Sequence, residues 1–556
     1  MQHQGPFSIP AINDTVPEKW KPWLIIFMVL IFQFSGGIYL AAANEMVGAT
    51  ALLHEDILMA GYASMIGMAL TFTIMLRLKM RFNSRFTFLV CSIALIICNL
   101  ICISNTSMPV LVGTCFFAGI FRMWATFECN STIQLWLTPK RDLSIFFCYI
   151  YLLVQSAILL SGISNTYVSL FANWEYIHWA VIGLLLFVVL ITLLLFNGNR
   201  MMRPFPLFGI DWLGGLMWGL IILTINFICI YGEHYDWLSS EEIQTAVVFL
   251  AILLLLSIWR ASFIRHPFIS LQTFKYKAVY MTFFLYLIVD IFIAPAHLVE
   301  HIYLEAVLHY DAEHVISMNW VAWAGVVLGA LFAYYFFALK KHSYKSMFLI
   351  AFACIILYLV MMYFLIDYTT TKELLLAPIF FRNFGYVVVA IVLLTNLVKV
   401  PFQHFWQALS VQAFVSAGFG GVLGTAVIQN ALKELTAKNF TLLSANLDHV
   451  NHKLQRADMG AVFGKLQSEV LLVSFKELYG YLVLFALACM AVFILYRYPY
   501  LNSRITPEPG PLSGTCAGKL PEPASHNPKT SRAFLFKRQA RLVLSVTAEE
   551  KVVSKY

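Results

Sequence analysis

The stretch "DIFIAPAHLVEHIYLE" at residues 290–305 places five ionisable side chains in an otherwise hydrophobic run. At about 100° per residue along a helix, three of them fall within about 40° of one another, and the two glutamates flank that stripe. Carboxyl and imidazole groups that share one helix face can pass protons between them. This pattern predicts a proton-exchanging group of side chains: Asp290, His297, Glu300, His301 and Glu305.

A lipid-facing position would be costly for this stripe, because one charged side chain at the bilayer centre costs roughly 2.5–3.5 kcal/mol. We therefore expect the stripe to line a water-accessible cavity. Pro295 lies within it and predicts a bend, because proline removes a backbone hydrogen bond of the helix. The alternative is that the last three of the five groups lie at the outer interface and only Asp290 and His297 are deep.

Two other stretches place arginine inside apolar runs. The sequence "FFAGIFRMWATFECNSTIQLWLTPK" at 116–140 contains Arg122 and Glu128, and "FRNFG" at 381–385 contains Arg382. Glu128 is six residues beyond Arg122, which is off the same helical face, so we expect both to pair with other helices. The alternatives are a structural buried ion pair for these two and snorkelling or helix packing for Arg382.

The elements that position these residues are membrane helices. The chain has 556 residues, of which 60% are hydrophobic and only 12% are charged, and its mean hydropathy is +0.77. A helix needs about 20 apolar residues to cross a bilayer core of about 30 Å. Fourteen such runs occur, at 23–43, 56–76, 86–104, 109–131, 145–169, 176–196, 212–231, 244–260, 278–302, 315–339, 346–366, 376–398, 408–431 and 478–496.

Lys and Arg are distributed unevenly among the connections between these runs. The connections on one side carry 18 of them, whereas the short connections on the other side carry only Lys372. Because cytoplasmic loops are enriched in Lys and Arg, both termini are predicted to be cytoplasmic. The long outer connection at 433–477 contains enough helix-forming residues to predict a short amphipathic hairpin on the membrane surface.

Several local patterns resemble those of the fourteen-span drug:proton antiporter family of the major facilitator superfamily. The best match, "FVSAGFGGVLGTAV" at 414–427, is similar to that family's Gly-Gly-x-x-Gly-Thr-Ala stretch in the thirteenth span. Its Gly420, Gly421 and Gly424 would let helices approach closely. The stretches at 381–385, 209–220 and 303–320 resemble other motifs of the family.

The superfamily signature after the second span is only partly present. The stretch "LRLKMRFNSR" at 76–85 keeps Arg81 and Arg85 but lacks the acidic residue that the family uses in its cytoplasmic charge relay. Arg81 and Arg85 are therefore candidates either for gating residues or for markers of orientation, and the second interpretation is favoured.

The resemblance implies an all-α membrane protein with fourteen transmembrane helices, arranged as two six-helix major-facilitator halves and two inserted central helices. The expected division is a cytoplasmic N-terminus at 1–22, a half at 23–196 and the inserted pair with its flanking loops at 197–277. A second half, with its outer loop, follows at 278–499. A Pro-, Gly- and Ser-rich cytoplasmic tail at 500–556 is predicted to be disordered.

The resemblance further implies a secondary active transporter of the plasma (inner) membrane. It would export hydrophobic or amphipathic, often cationic, small molecules in exchange for protons by alternating access. Its partners would be the small-molecule substrate, protons and the lipid bilayer, with accessory envelope proteins as a further candidate and no nucleic acid. From the residues, the buried Asp290, Glu300 and Glu128 would alternate between binding protons and attracting cargo.

Two alternatives stay open at this point. One is transport of organic anions, for which Arg122, Arg382 and the histidines would be the recognition groups. The other is a non-transporting sensor or assembly protein derived from a transporter. The sequence has no nucleotide-binding loop, serine nucleophile elbow or zinc-protease motif, so an enzyme is not supported. No cofactor or metal is expected, because the cysteines show no ligand spacing.

Overall fold

The computed structural model describes residues 11–36, 46–47, 52–138, 142–198, 206–445 and 459–496. Within them the chain is helical, and an isolated bridge between Ile12 and Phe196 is the extended pairing found there. The predicted all-α membrane fold is thereby confirmed. The predicted tail, residues 500–556, lies outside the described residues.

Fourteen helical elements follow one another along the described ranges. The first eight are α1 Lys21–Phe34, α2 His54–Arg81, α3 Ser84–Ser104, α4 Met108–Leu137, α5 Leu143–Phe171, α6 Glu175–Leu195, α7 Trp212–Tyr231 and α8 Glu241–Phe263. The remaining six are α9 Lys277–Val307, α10 Ala312–Leu339, α11 Tyr344–Leu365, α12 Lys372–Lys399, α13 Phe402–Ser444 and α14 Met459–Leu495.

Thirteen of these elements are long and apolar enough to cross a membrane. The exception is α1, which is a shorter apolar helix in the part that the structure describes. Its predicted span, 23–43, continues beyond residue 36 into residues that are not described. The predicted runs and the described helices therefore agree in number and order.

Short polar side chains begin several of the helices. Asn83, Asp142, Asp211, Ser240 and Ser343 each accept a hydrogen bond from a backbone N–H two or three residues further on. These side chains satisfy donors that have no partner in the first helical turn. The connections that carry polar residues in the sequence thus also fix where the helices start.

The two largest apolar cores lie in different parts of the chain, and a third cluster combines residues of both parts, such as Ile66 and Leu409. One core consists of residues between Ala11 and Phe196, and the other consists almost wholly of residues between Met281 and Phe493. We call α1–α6 the N-terminal half and α9–α14 the C-terminal half. The inserted helix α7 contacts both halves, through α2 and α13, and Asn226 on α7 donates a hydrogen bond to the Gly418 carbonyl at 2.9 Å.

In each half, the second and fourth helices cross at glycine. A Cβ atom at Gly67 of α2 would overlap the carbonyl oxygen of Phe116 on α4. In the C-terminal half, a Cβ atom at Gly325 of α10 would lie 2.8 Å from the carbonyl oxygen of Phe380 on α12. Glycine is needed at both crossings because the backbones approach too closely for a side chain.

Helix α9 is interrupted where the sequence places proline. It runs as an α-helix from Lys277 to Ile293, turns at Ala294, resumes over Pro295–Ile302 and ends as a π-helix over Tyr303–Val307. The interruption follows from the missing N–H of the proline, which cannot donate to the preceding turn. The helix is thus interrupted at the residue before the proline, where the sequence predicts a bend.

The outer connection differs from its prediction. Instead of a separate hairpin lying on the membrane surface, the helix α13 continues to Ser444 and α14 begins at Met459. The two extensions pack on each other through Lys438 and Glu477 at 2.6 Å and through Asn439 and Ser474 at 3.0 Å. Hydrophobicity marks where a helix leaves lipid, but residues with good helix propensity continue it beyond that point.

The two halves are joined at the end where α2 ends and α5 begins, which we call the basic end because its connections carry most of the Lys and Arg. Lys341 pairs with Asp142 at 2.8 Å, and Thr73 shares a hydrogen bond with Ser410 at 2.6 Å. The ring of Phe127 on α4 also packs against Trp406 on α13. These contacts close the bundle at its basic end.

Candidate translocation site

Asp290 lies where α9 meets α13. Its side chain is 6% exposed, and its Oδ2 atom accepts no hydrogen bond from any described residue. A Cβ atom at Gly420 would overlap that oxygen, and one at Gly424 would lie 3.0 Å from the Asp290 carbonyl oxygen. The small residues at 420 and 424 therefore bring α13 against the buried carboxyl group.

Four tyrosines from both halves lie near this carboxyl group. Tyr62 on α2 and Tyr151 on α5 belong to the N-terminal half, whereas Tyr286 on α9 and Tyr386 on α12 belong to the C-terminal half. Each phenol lies close enough to Asp290 to interact with its charge. Asp290 is therefore the acidic centre of a polar group of residues that lies between the halves.

A direct hydrogen bond joins the halves at this group. The hydroxyl groups of Tyr151 and Tyr286 are 3.0 Å apart, and Tyr286 also donates to the Ala390 carbonyl at 3.2 Å. Gln412 on α13, which is buried, hydrogen bonds with Tyr151. Phenols and amides both donate and accept hydrogen bonds, so this group can exchange partners with a ligand or with water.

Glu300 is buried in a second polar group, which is confined to the C-terminal half. Its carboxylate pairs with Arg382 on α12 at 2.5 Å and accepts a hydrogen bond from the Tyr358 hydroxyl at 2.7 Å. Tyr358 in turn lies 3.3 Å from the Tyr479 hydroxyl. Glu300, which one alternative placed at the outer interface, is therefore buried among protein side chains and held by an internal arginine.

The three remaining groups of the predicted stripe differ in their surroundings. His297 interacts with the charges of Arg382 and Glu300, and its side chain is exposed. His301 and Glu305 pair with each other at 3.2 Å and are each more than 40% exposed.

Arg122 is buried on α4 without an acidic partner among the described residues. It is 2% exposed, and its Nε and Nη2 atoms lie 3.0 Å from Met68 Sδ and 3.6 Å from Met65 Sδ, respectively. A Cβ atom at Gly36 would overlap the guanidinium group. The expected pairing with another helix is therefore present only as contacts to thioethers, which are weak acceptors.

Glu128 has the cationic partner that the sequence required. Its carboxylate lies 2.5 Å from Lys79 at the end of α2 and 2.5 Å from the Ser84 hydroxyl at the start of α3. Lys79 also donates to Thr132 at 3.2 Å. Glu128 thus ties the connection between α2 and α3 to α4, in the region whose signature lacks its own acidic residue.

Near that connection, Arg85 donates to the Leu193 carbonyl at 3.3 Å and Arg81 is exposed. At the start of α7, Asp211 pairs with Arg260 at 2.7 Å. Burial acts to raise the pKa of the Asp211 carboxyl, but hydrogen bonds from Arg260 and from two backbone N–H groups outweigh it and lower that pKa. These groups anchor helix ends at the basic end.

The structure brings together only part of the predicted set, and it adds residues that were not predicted. Asp290 and the three glycines of α13 share one place, whereas Glu300 and Arg382 form a separate pair and Glu128 lies elsewhere. The tyrosines around Asp290, Gln412 and Lys79 were missed. No group of three or more His, Cys, Asp or Glu residues in the described ranges could hold a metal ion.

Solved structures of other proteins match the fold of this chain, whereas sequence comparisons find no match. No family model and no curated protein matches the chain. Among solved structures, a tetrameric form of PepTSo2 superposes with a TM-score of 0.54 at 12% identity, covering 86% of this chain and 97% of the other. A structure described as a proton-dependent oligopeptide transporter gives 0.54 at 13% identity, covering 87% and 99%.

The nucleoside transporter NupG superposes with a TM-score of 0.50 at 12% identity, covering 84% of this chain and 99% of that one. The chain therefore shares the fold of these solved structures, which are all transporters. The polar group around Asp290 lies between the two halves of this fold.

Proposed function

We propose that this chain is a proton-coupled secondary active transporter that moves hydrophobic or amphipathic small molecules by alternating access. The observation that carries the proposal is the buried carboxyl group of Asp290, which lies between the halves and has an oxygen with no hydrogen-bond partner among the described residues. A carboxylate buried in this way is costly unless it gains a proton or a ligand.

Alternating access gives this carboxyl group a route to both sides. Rocking of one half against the other exposes a site between them to each side in turn. The contacts that would break and re-form are those across the halves, such as the Tyr151–Tyr286 hydrogen bond and the Asp142–Lys341 pair. Asp290 then takes up a proton on the outer side and releases it on the cytoplasmic side, and cargo occupies the surrounding phenols on the opposite passage.

The direction and location follow the resemblance of the sequence. We propose export across the plasma membrane, with both termini in the cytoplasm, because the basic end carries the connections rich in Lys and Arg. Glu128 and Glu300 are each paired with a cation. Their role in the proposal is structural support, and Asp290 is the group that exchanges protons.

Reconstituted vesicles with an imposed pH gradient test this proposal. The wild-type chain is expected to drive movement of at least one compound from a panel of amphiphiles. Asp290→Asn is expected to abolish gradient-driven movement while keeping exchange of the same compound without a gradient, because the amide cannot titrate. Asp290→Glu should keep part of the driven movement, and Glu242→Gln, at an exposed position at the start of α8, should match wild type.

Gradient-driven movement by Asp290→Asn at the wild-type rate would contradict the assignment of the proton to this residue. Absence of driven movement for every compound would contradict transport itself. That second result, together with a stable partner bound to the α13–α14 extensions at 433–477, would favour a sensor or assembly protein.

A further inference from the structure

Among the described residues, the guanidinium group of Arg122 has no acidic partner of the kind that burial normally demands. Its hydrogen-bond acceptors among the described residues are the thioethers of Met65 and Met68. A buried charge without a counter-charge costs several kcal/mol, and a thioether sulfur compensates only a small part of that cost because it is a weak acceptor. The position is therefore suited to receive an anionic group.

The other half has an arginine at the corresponding position, and that arginine has an acidic partner. Arg382 lies on α12, the fourth helix of its half, beside the glycine crossing with α10, and it pairs with Glu300 at 2.5 Å. Arg122 lies on α4, the fourth helix of its own half, three residues after the crossing glycine Gly119. Within the described ranges, Arg382 thus has an internal carboxylate as its partner and Arg122 does not.

An adaptable apolar cluster lies next to Arg122. It joins α2 and α4 and consists of three buried methionines with three partly buried neighbours, namely Met68, Met75, Met123, Met65, Phe72 and Phe127. Methionine is unbranched and polarisable and re-packs around irregular apolar shapes. The cluster borders the other half, because Phe127 packs against Trp406 and the adjacent Ala69 carbonyl accepts a hydrogen bond from Ser410.

One face of α2 connects this cluster to the acidic centre. Tyr62 interacts with Asp290, and Met65 contacts Arg122. Residues three apart lie on the same helical face. A cargo molecule in contact with Arg122 would therefore lie within one helical turn of the tyrosine that adjoins Asp290.

We propose that the cargo is an amphipathic organic anion. Its carboxylate or sulfonate replaces the thioethers at Arg122, and its apolar body packs in the methionine and phenylalanine cluster. An arginine fork binds such a group through two parallel charge-assisted hydrogen bonds. This inference rests on the proposed function and selects, among the amphiphiles, those with a negative head group.

Three probes with the same aromatic body and different charge test the inference: 2-naphthylacetate, 2-naphthylacetamide and 2-naphthylethylammonium. Wild-type chain in vesicles is expected to move the anion fastest. Arg122→Gln should slow the anion about 10- to 100-fold, because hydrogen bonds to a charged group contribute roughly 1.5–3 kcal/mol. Movement of the amide should change little, and Arg122→Lys should retain part of the anion movement.

Several results would overturn the inference. Wild-type preference for the amide or the ammonium probe would do so without any variant. Equal slowing of all three probes by Arg122→Gln would assign Arg122 a purely structural role, and Arg122→Met, which suits the methionine surroundings, gives a second variant if the glutamine variant does not fold.

Binding separates this inference from the proposed function. Thermal stabilisation of the detergent-purified wild-type chain by each probe is measured without any pH gradient. Selective stabilisation by the naphthylacetate supports the anion subsite even if no compound is transported, in which case the proposed function alone fails. Driven movement of another amphiphile, without stabilisation or movement by the naphthylacetate, would overturn the anion subsite and leave the proposed function standing.

Discussion

Replacement of Arg382 by methionine is expected to destabilise the C-terminal half. The side chains of Arg382 and Glu300 are only 14% and 9% exposed, so water screens their attraction little. Removing one member of a buried ion pair leaves the other charge without a partner and costs about 3–5 kcal/mol. Arg382→Met should therefore lower the free energy of unfolding by about this amount.

A double variant that removes both charges is expected to be more stable than Arg382→Met alone. Glu300→Gln combined with Arg382→Met removes both charges, and an amide can still accept the hydrogen bond that Tyr358 donates at 2.7 Å. The double variant should therefore recover most of the loss, because replacing a whole buried pair is often close to neutral. The exposed Arg265 provides the control, since Arg265→Met should change stability by less than about 0.5 kcal/mol.

Unfolding of the detergent-solubilised protein by denaturant, followed by tryptophan fluorescence, measures these differences. The informative quantity is the coupling between the two substitutions in a double-mutant cycle. A double variant as unstable as Arg382→Met alone would refute the reasoning, because it would mean that the loss comes from packing of the arginine stem and not from the orphaned carboxylate.

Two further predictions concern the acidic centre and the basic end. Gly420→Ala should lower driven transport strongly and stability by about 1–3 kcal/mol, because the added Cβ would overlap the Asp290 carboxyl group; both are measurable in vesicles and by denaturation. Burial acts to raise the pKa of Asp142, yet hydrogen bonds from Lys341 and Ser144 lower it below its ordinary 3.8. The Asp142–Lys341 contact should therefore persist at pH values above the lowered pKa of Asp142 and be lost as the pH falls through that pKa. Asp142→Asn should remove this pH dependence. The measurement is the distance between spin labels across the basic end as a function of pH. If this distance increased equally at low pH in the wild type and in Asp142→Asn, the prediction would be contradicted.

The membrane helices could be predicted because each one depends only on the residues of its own segment. A run of about 20 apolar residues satisfies its own backbone and suits lipid, so the fourteen runs and the interruption near Pro295 follow from the sequence alone. The ends of α13 and α14 could not be predicted in this way. Hydropathy falls after about residue 431, but the helix continues to Ser444 because the following residues favour helix and find a partner in α14.

The sequence shows that a buried charge of the site needs a partner, but it does not show which residue that partner is. A buried Glu300 or Glu128 requires a cation, but the partners lie 82 and 49 residues away on other helices. Nothing in the sequence distinguishes those partners from other Lys and Arg residues. The phenols around Asp290 are harder still, because they are four of 26 tyrosines and come from four helices.

The ionic pairs of the site explain why Asp290 and Arg122 differ from the other buried charges. Glu128, Glu300 and Asp211 each have a basic partner within 2.7 Å, whereas among the described residues Asp290 has no basic partner and Arg122 no acidic one. A proton would neutralise Asp290, and an anionic cargo would neutralise Arg122. Because a buried uncompensated charge opposes compact packing of the halves, export in exchange for protons would use these groups in turn, with the anion bound at Arg122 on the outward passage and the proton bound at Asp290 on the return passage.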